Sequence, residues 1–98
     1  MGNIAIHGNR GIHMKFDNGL TISIQIGTGS YCSNKNQEAG SLQIVNSCNN
    51  AEIAIWDKMG NWHVFNDGDT VQGFVDVDKI GKIINKVRKA KSLEDLKV

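Results

Sequence analysis

Residues 20–26, LTISIQI, alternate strictly: Leu20, Ile22, Ile24 and Ile26 fall on one face, Thr21, Ser23 and Gln25 on the other. A period of two is the side-chain period of an extended strand, so this run predicts a half-buried strand. Asp17-Asn18-Gly19 stands immediately before it. Asn-Gly tolerates the positive φ of a tight hairpin turn, so residues 12–16 are expected to pair back onto the run. A strand with one apolar face must have that face covered, which demands a sheet and a second layer.

The rest of the chain extends this pattern. Residues 3–7 read as a short strand and 8–11 as a turn. Residues 41–45 read as another short strand, followed by the Asn-rich turn 46–50. In residues 51–56, Ala51, Ile53 and Ile55 share one face of a strand. Residues 57–61, with Met59-Gly60-Asn61, form a second hairpin turn leading to a strand over 62–65. Asn66, Asp67, Gly68 and Asp69 make a third turn, read as turn chemistry rather than a calcium loop. A last strand covers 70–75. The period then changes: Val77, Ile80, Ile83, Ile84 and Val87 recur at helical spacing. Asp76 is the expected N-cap. Gly81 costs about 1 kcal/mol inside a helix relative to Ala, which suggests close packing there. Ser92 is expected to cap a short terminal turn, with Asp95 at the capping-box position. The fold class is therefore α+β: an antiparallel sheet of short hairpin-connected strands with one C-terminal amphipathic helix packed on it. The 98 residues make a single domain, with the sheet over 14–75 and the helix over 76–91. Residues 1–13 read as an N-terminal extension or a misassigned start, because Met14 precedes the first strong hairpin.

Bulk properties exclude several classes. A net charge of +1 argues against a dedicated duplex-DNA binder. No apolar run approaches the ~18 residues needed to span a membrane. The first residues lack a signal-peptide core, and Ile6 occupies the position where myristoylation of Gly2 needs Ser or Thr. A cytoplasmic protein is expected. Cys32 and Cys48 lie in polar loops and are expected as reduced thiols; paired, they would contribute about 3 kcal/mol in the chain-entropy model. His7, His13 and His63 are scattered and no Cys-x-x-Cys occurs, so no metal site is expected.

The candidate functional surface is the polar stretch 27–40, the longest without periodicity. Gly27 and Gly29 directly follow a strand, and their N–H groups could form a nest for a phosphate. No helix and no Lys-Ser/Thr follow, so this is neither a P-loop nor a dinucleotide fingerprint. A turn needing positive φ is the simpler account of the glycines. Tyr31, Ser33, Asn34 and Lys35 offer a stacking ring, hydrogen-bonding groups and a cation, suited to a nucleotide; the alternative is a solvated loop with Tyr31 folded onto the core. Cys32 has no base near it in sequence, so thiol catalysis is not expected. Trp56 and Trp62 are expected to pair across the second hairpin; left exposed, they would mark a partner site. Lys79, Lys82, Lys86 and Lys89 form a helix stripe, with Arg88 and Lys91 beside its end. That stripe is a positive track for an anion or a solvated face matched to the helix dipole. Arg88 is the better phosphate fork.

The runs FDNGLTISIQIGTGSYCSN, AEIAIWDKMGNW and VQGFVDVDKIGKII resemble small bacteriophage-encoded proteins, above all the phage anti-Thoeris sponge proteins, over residues 14–90. The resemblance implies a non-enzymatic homo-oligomer in the host cytoplasm that captures a cyclic ADP-ribose-type immune signal, and cyclic oligonucleotides in addition, at subunit interfaces. The expected function is sequestration of a small anionic nucleotide by Gly27, Gly29, Tyr31, Ser33, Asn34, Lys35 and Arg88, with no catalytic residue, no cofactor and no membrane or duplex nucleic acid as partner. The alternative is a protein–protein inhibitor that covers a host defence protein, an anti-CRISPR-type factor.

Overall fold

The computed structural model describes residues 2–27, 29–36 and 46–98. Five strands run in chain order across one antiparallel sheet: β1 (Asn3–His7), β2 (Gly11–Lys15), β3 (Thr21–Gln25), β4 (Asn50–Trp56) and β5 (Val71–Asp76). Helix α1 (Val77–Lys89) follows β5 directly, and a short 3-10 turn, Leu93–Asp95, comes after it. The expected α+β architecture is the observed one. The strand expected over 41–45 lies outside the described residues.

Register explains where the core sits. Ile4, Met14, Ile22 and Ile55 line up across β1 to β4, and so do Ile6, Ile12, Ile24 and Ile53. Both rows lie on one face, as the alternation requires. Helix α1 covers only one end of them. Ile22, Ile53 and Ile55 are buried with Ile80, Ile83 and Val87 of the helix, whereas Ile4 and Ile6 are 63% and 77% exposed. Residues 3–13, set aside by the sequence as an extension, form β1 and the first part of β2 in this sheet.

The turns follow their chemistry. Gly19, Gly60 and Gly68 all take positive φ at the ends of their turns. The Asp57 carboxylate accepts the N–H groups of Met59 and Asn61, both at 2.9 Å. These bonds, led by that of Asn61, hold its pKa below the usual carboxylate range. Asp67 and Asp69 likewise accept nearby N–H groups, as turn residues do.

Four expectations need correction. Residues 62–65 form no strand; Trp62 makes one bridge to Trp56, and His63 N–H donates to Ile55 C=O at 2.8 Å. The reason is competition: β5 already occupies the same edge of β4 from Asn50 to Ala54. Asp76 stands at the N-cap position but makes no capping bond. At Gly81 an added Cβ would meet open space, so this glycine serves no close contact with the sheet. In the terminal turn, Asp95 accepts from Lys91 N–H rather than from Ser92.

Between Ala51 and Ile53 the β4–β5 ladder is irregular, and Phe74 opposite it holds φ at +53°. A bulky side chain in this region costs roughly 1–2 kcal/mol that glycine does not incur. Phe74 is largely exposed, so little packing offsets that cost. Phe74→Gly is expected to be more stable than Phe74→Val by about 2 kcal/mol in chemical denaturation, since a β-branched residue tolerates the region worst. Equal stabilities would show that the ring's contacts, not its backbone, decide the site.

Candidate functional site

Strand β3 delivers the chain into the loop after it, whose described residues, 27 and 29–36, bond to one another and to the segment ahead of β4. The Gly27 N–H donates to Asn34 Oδ1 at 2.8 Å and points at Cys32 Sγ at 3.3 Å. The Gly29 N–H donates to Lys35 C=O at 3.2 Å. Asn34 Nδ2 donates to Asn46 Oδ1 and Ser47 C=O. Ser33 N–H donates to Asn50 Oδ1, and Ser33 Oγ lies 2.8 Å from Cys48 Sγ. The phosphate nest expected at Gly27 and Gly29 is therefore corrected: their positive φ shapes a loop closed on its own side chains. The signal for this was in the sequence, since Asn34, Asn46 and Asn50 are the short amides that satisfy such loops.

The loop is pinned to the far edge of the sheet. Tyr31 N–H donates to Glu52 Oε2, and Tyr31 C=O accepts from Phe74 N–H, both at 2.8 Å. Gly73 is required here, because a Cβ at that position would lie 2.7 Å from Tyr31 Cβ. The Tyr31 ring stays 50% exposed rather than folding onto the core, and Lys35 Nζ sits 4.6 Å from its centre. That is cation–π distance, so the loop brings Tyr31 and Lys35 together. Arg88 does not join them. Its guanidinium bonds Asn85 Oδ1 at 2.7 Å, and its backbone carbonyl lies near Asn18 at the opposite end of β3. A strand of this length separates the two ends by roughly 20 Å.

Cys32 and Cys48 are free thiols in one hydrogen-bonded cluster, connected through Ser33 and Asn34. Burial pushes the Cys32 thiol up, against the opposing effect of the Gly27 and Asn34 N–H groups. Partial burial also opposes ionisation of Cys48. Hydrogen bonds from the Ser33 hydroxyl, the Asn50 and Asn34 backbones and the Cys32 thiol outweigh it and bring Cys48 down to about 7.

The helix stripe presents a different surface. A groove of about 730 Å³ runs beside α1. Lys79, Lys82 and Lys86 of the helix line it with Lys97, and Phe65 and Ile83 supply apolar surface. Asp67, Asp76 and Asp78 also line it. Lysines and carboxylates in one groove, over a floor where Phe65 and Ile83 are largely buried, suit an anionic ligand that also carries hydroxyl or amino donors. The sequence picked out the stripe but not Lys97 or the floor, which come from a distant turn and the last residues.

On the opposite face of the sheet, ring contacts run from His7 to His13 (3.9 Å), His13 to Trp56 (5.0 Å) and Trp56 to Trp62 (5.0 Å). The expected Trp pair is present, yet Trp62 remains 48% exposed. Desolvation, with the nearby His7, lowers the pKa of His13. The histidines of this row escaped sequence analysis because they meet diagonally across β1 and β2, a relation only the register reveals. Among the described residues, no group of three or more His, Cys, Asp or Glu is placed to hold a metal ion, and no helix is long and apolar enough to cross a membrane. Comparison with protein-family models, curated proteins and solved structures finds no match.

Proposed function

We propose that this protein is a non-enzymatic binding protein that sequesters a small anionic nucleotide in the groove beside α1. The single observation that carries the proposal is the groove itself. Four lysines surround a volume of about 730 Å³ with Phe65 and Ile83 at its floor, within the range of small-molecule sites. The lysines meet phosphate oxygens, and the carboxylates accept from ribose hydroxyls or exocyclic amines. The resemblance to the anti-Thoeris sponge proteins supports a cyclic ADP-ribose-type signal as the ligand, bound in a host cytoplasm as phage counter-defence. Tyr31 and Lys35 lie on the loop at the far edge of the sheet and are not needed for this binding.

The test is a thermal-shift screen against cyclic ADP-ribose isomers and cyclic di- and trinucleotides. A ligand at ~100 times its dissociation constant adds about 2.7 kcal/mol, a shift on the order of 10 °C for a domain of this size. Lys79→Glu with Lys82→Glu is expected to abolish the shift without lowering the melting temperature of the free protein, since both side chains are exposed. No shift with any of these ligands, or an equal shift in the double variant, would reject the groove.

A second reading has its own support: inhibition of a host protein by docking. Strand β1 leaves its outer edge unpaired among the described residues. It carries neither Pro nor a charged residue, the usual guards of an edge. Ile4 and Ile6 beside that edge are exposed, which suits an incoming strand with alternate apolar residues. Ile6→Lys is expected to abolish capture of such a partner while leaving the thermal shift intact.

A further inference from the structure

The two thiols differ in ways that assign them separate tasks. Cys48 precedes β4 and is partly exposed, whereas Cys32 in the loop 27–36 is 1% exposed. The fold draws them into one cluster although they are sixteen positions apart: Ser33, next to Cys32 in the chain, holds its Oγ 2.8 Å from Cys48 Sγ, and Asn34, 2.9 Å from Cys32 Sγ through Oδ1, donates to the C=O of Ser47, next to Cys48. Cys32 is held by Asn34 Oδ1 at 2.9 Å, and Cys48 by the Ser33 hydroxyl at 2.8 Å. A reagent from solvent reaches Cys48 first, and the only thiol then beside it is buried Cys32.

We propose that Cys48 and Cys32 form a thiol–disulfide exchange pair in which Cys48 attacks a low-molecular-weight disulfide and Cys32 resolves the product. The Cys48 thiolate bonds one sulfur of the external disulfide, whose S–S bond breaks and releases one thiolate. That thiolate takes the Cys32 proton. Cys32 then leaves Asn34 Oδ1 and attacks the Cys48 sulfur, expelling the second external thiolate. Two protein thiols are oxidised to one disulfide, and one external disulfide is reduced to two thiols. Hydrogen-bond donors around Cys48 favour the attacking thiolate, and burial keeps Cys32 protonated until the first step is complete. The crosslink ties the loop bearing Tyr31 and Lys35 to the segment ahead of β4. This pairing is independent of any ligand in the lysine groove.

Intact-mass spectrometry of the reduced full chain in oxidised glutathione tests the proposal. The wild type is expected to lose two hydrogens and retain no adduct. Cys32→Ser is expected to accumulate one glutathione at Cys48, and Cys48→Ser to stay unmodified over the same time. If Cys32→Ser fails to fold by circular dichroism, rapid alkylation of the wild type at early times replaces it and should trap the adduct on Cys48. Alkylation of Cys48 against pH supplies a second readout, half-maximal near pH 7. Among the described residues, Lys35 lies over the Tyr31 ring and Glu52 accepts from the Tyr31 N–H. A lasting adduct on the wild type without closure, Cys48→Ser reacting as fast as the wild type, or a midpoint near the ordinary ~8.5 of a free cysteine, would each overturn it.

Discussion

Ile53→Ala is expected to remove about 3–4 kcal/mol of stability, the range for emptying a fully enclosed aliphatic site. Ile53 is 0% exposed and sits in β4, paired to β3 on one side and β5 on the other. It packs in the cluster that holds Ile80, Ile83 and Val87 of α1, so the cavity lies between the sheet and the helix. Collapse around it is limited by the ladder. A domain of this size has about 5–15 kcal/mol in total, so the variant loses a large fraction of its stability. Ile6→Ala is the control within the same cross-strand row. Ile6 is of the same residue type and on the same face, but it lies beyond the helix. Its cost is expected within about 0.5 kcal/mol. Urea denaturation of both variants decides the matter. Similar losses would mean that the helix, or a neighbouring molecule, covers the β1 end of the face as well.

That contrast also marks what could be read in the sequence and what could not. Alternation in 20–26 and Gly19 located the β2–β3 hairpin, and Gly60 and Gly68 located two further turns, because strand period and positive φ are local properties. The helix was equally local: Ile80, Ile83 and Val87 are buried, while Val77, at its first turn, is exposed. The error at 62–65 was not local. Those residues suit a strand, but the edge they would extend along is taken by β5, a contest between segments the sequence does not order. The loop at 27–36 failed in the same way. Its glycines are consistent with a nest until Asn34 arrives to take the Gly27 N–H and Lys35 C=O the Gly29 N–H. Even the lysine groove needed tertiary structure. The stripe on α1 is periodic, whereas Phe65 and Lys97 meet it only through folding.

Asn18→Asp carries the second large effect, because a single amide joins the first hairpin to the helix end. Asn18 Oδ1 accepts from Leu20 N–H at 3.0 Å, closing the turn. Its Nδ2 donates to Val87 C=O at 2.8 Å and Ala90 C=O at 2.7 Å. The last carbonyls of a helix have no partner of their own, and Asn18 supplies it from a position 69 residues away from Val87. Asparagine in a turn is ordinarily explained by local φ and by its bond to the chain two residues on; that explanation covers only half of this side chain. Asn18→Ala loses both functions and is expected to cost about 2 kcal/mol, with two helix carbonyls left unsatisfied. Asn18→Asp keeps the bond to Leu20 but turns an acceptor, and a negative charge, toward the negative end of the helix dipole. It is therefore expected to cost more than Ala, about 3 kcal/mol at neutral pH, and to recover toward the Ala value as the pH falls below ~4 and the carboxyl becomes a donor. If the residue served the turn alone, the order would reverse, since Asp is as good a turn residue as Asn and better than Ala. The ranking of the three variants by chemical denaturation at pH 7 separates a turn former from a helix cap.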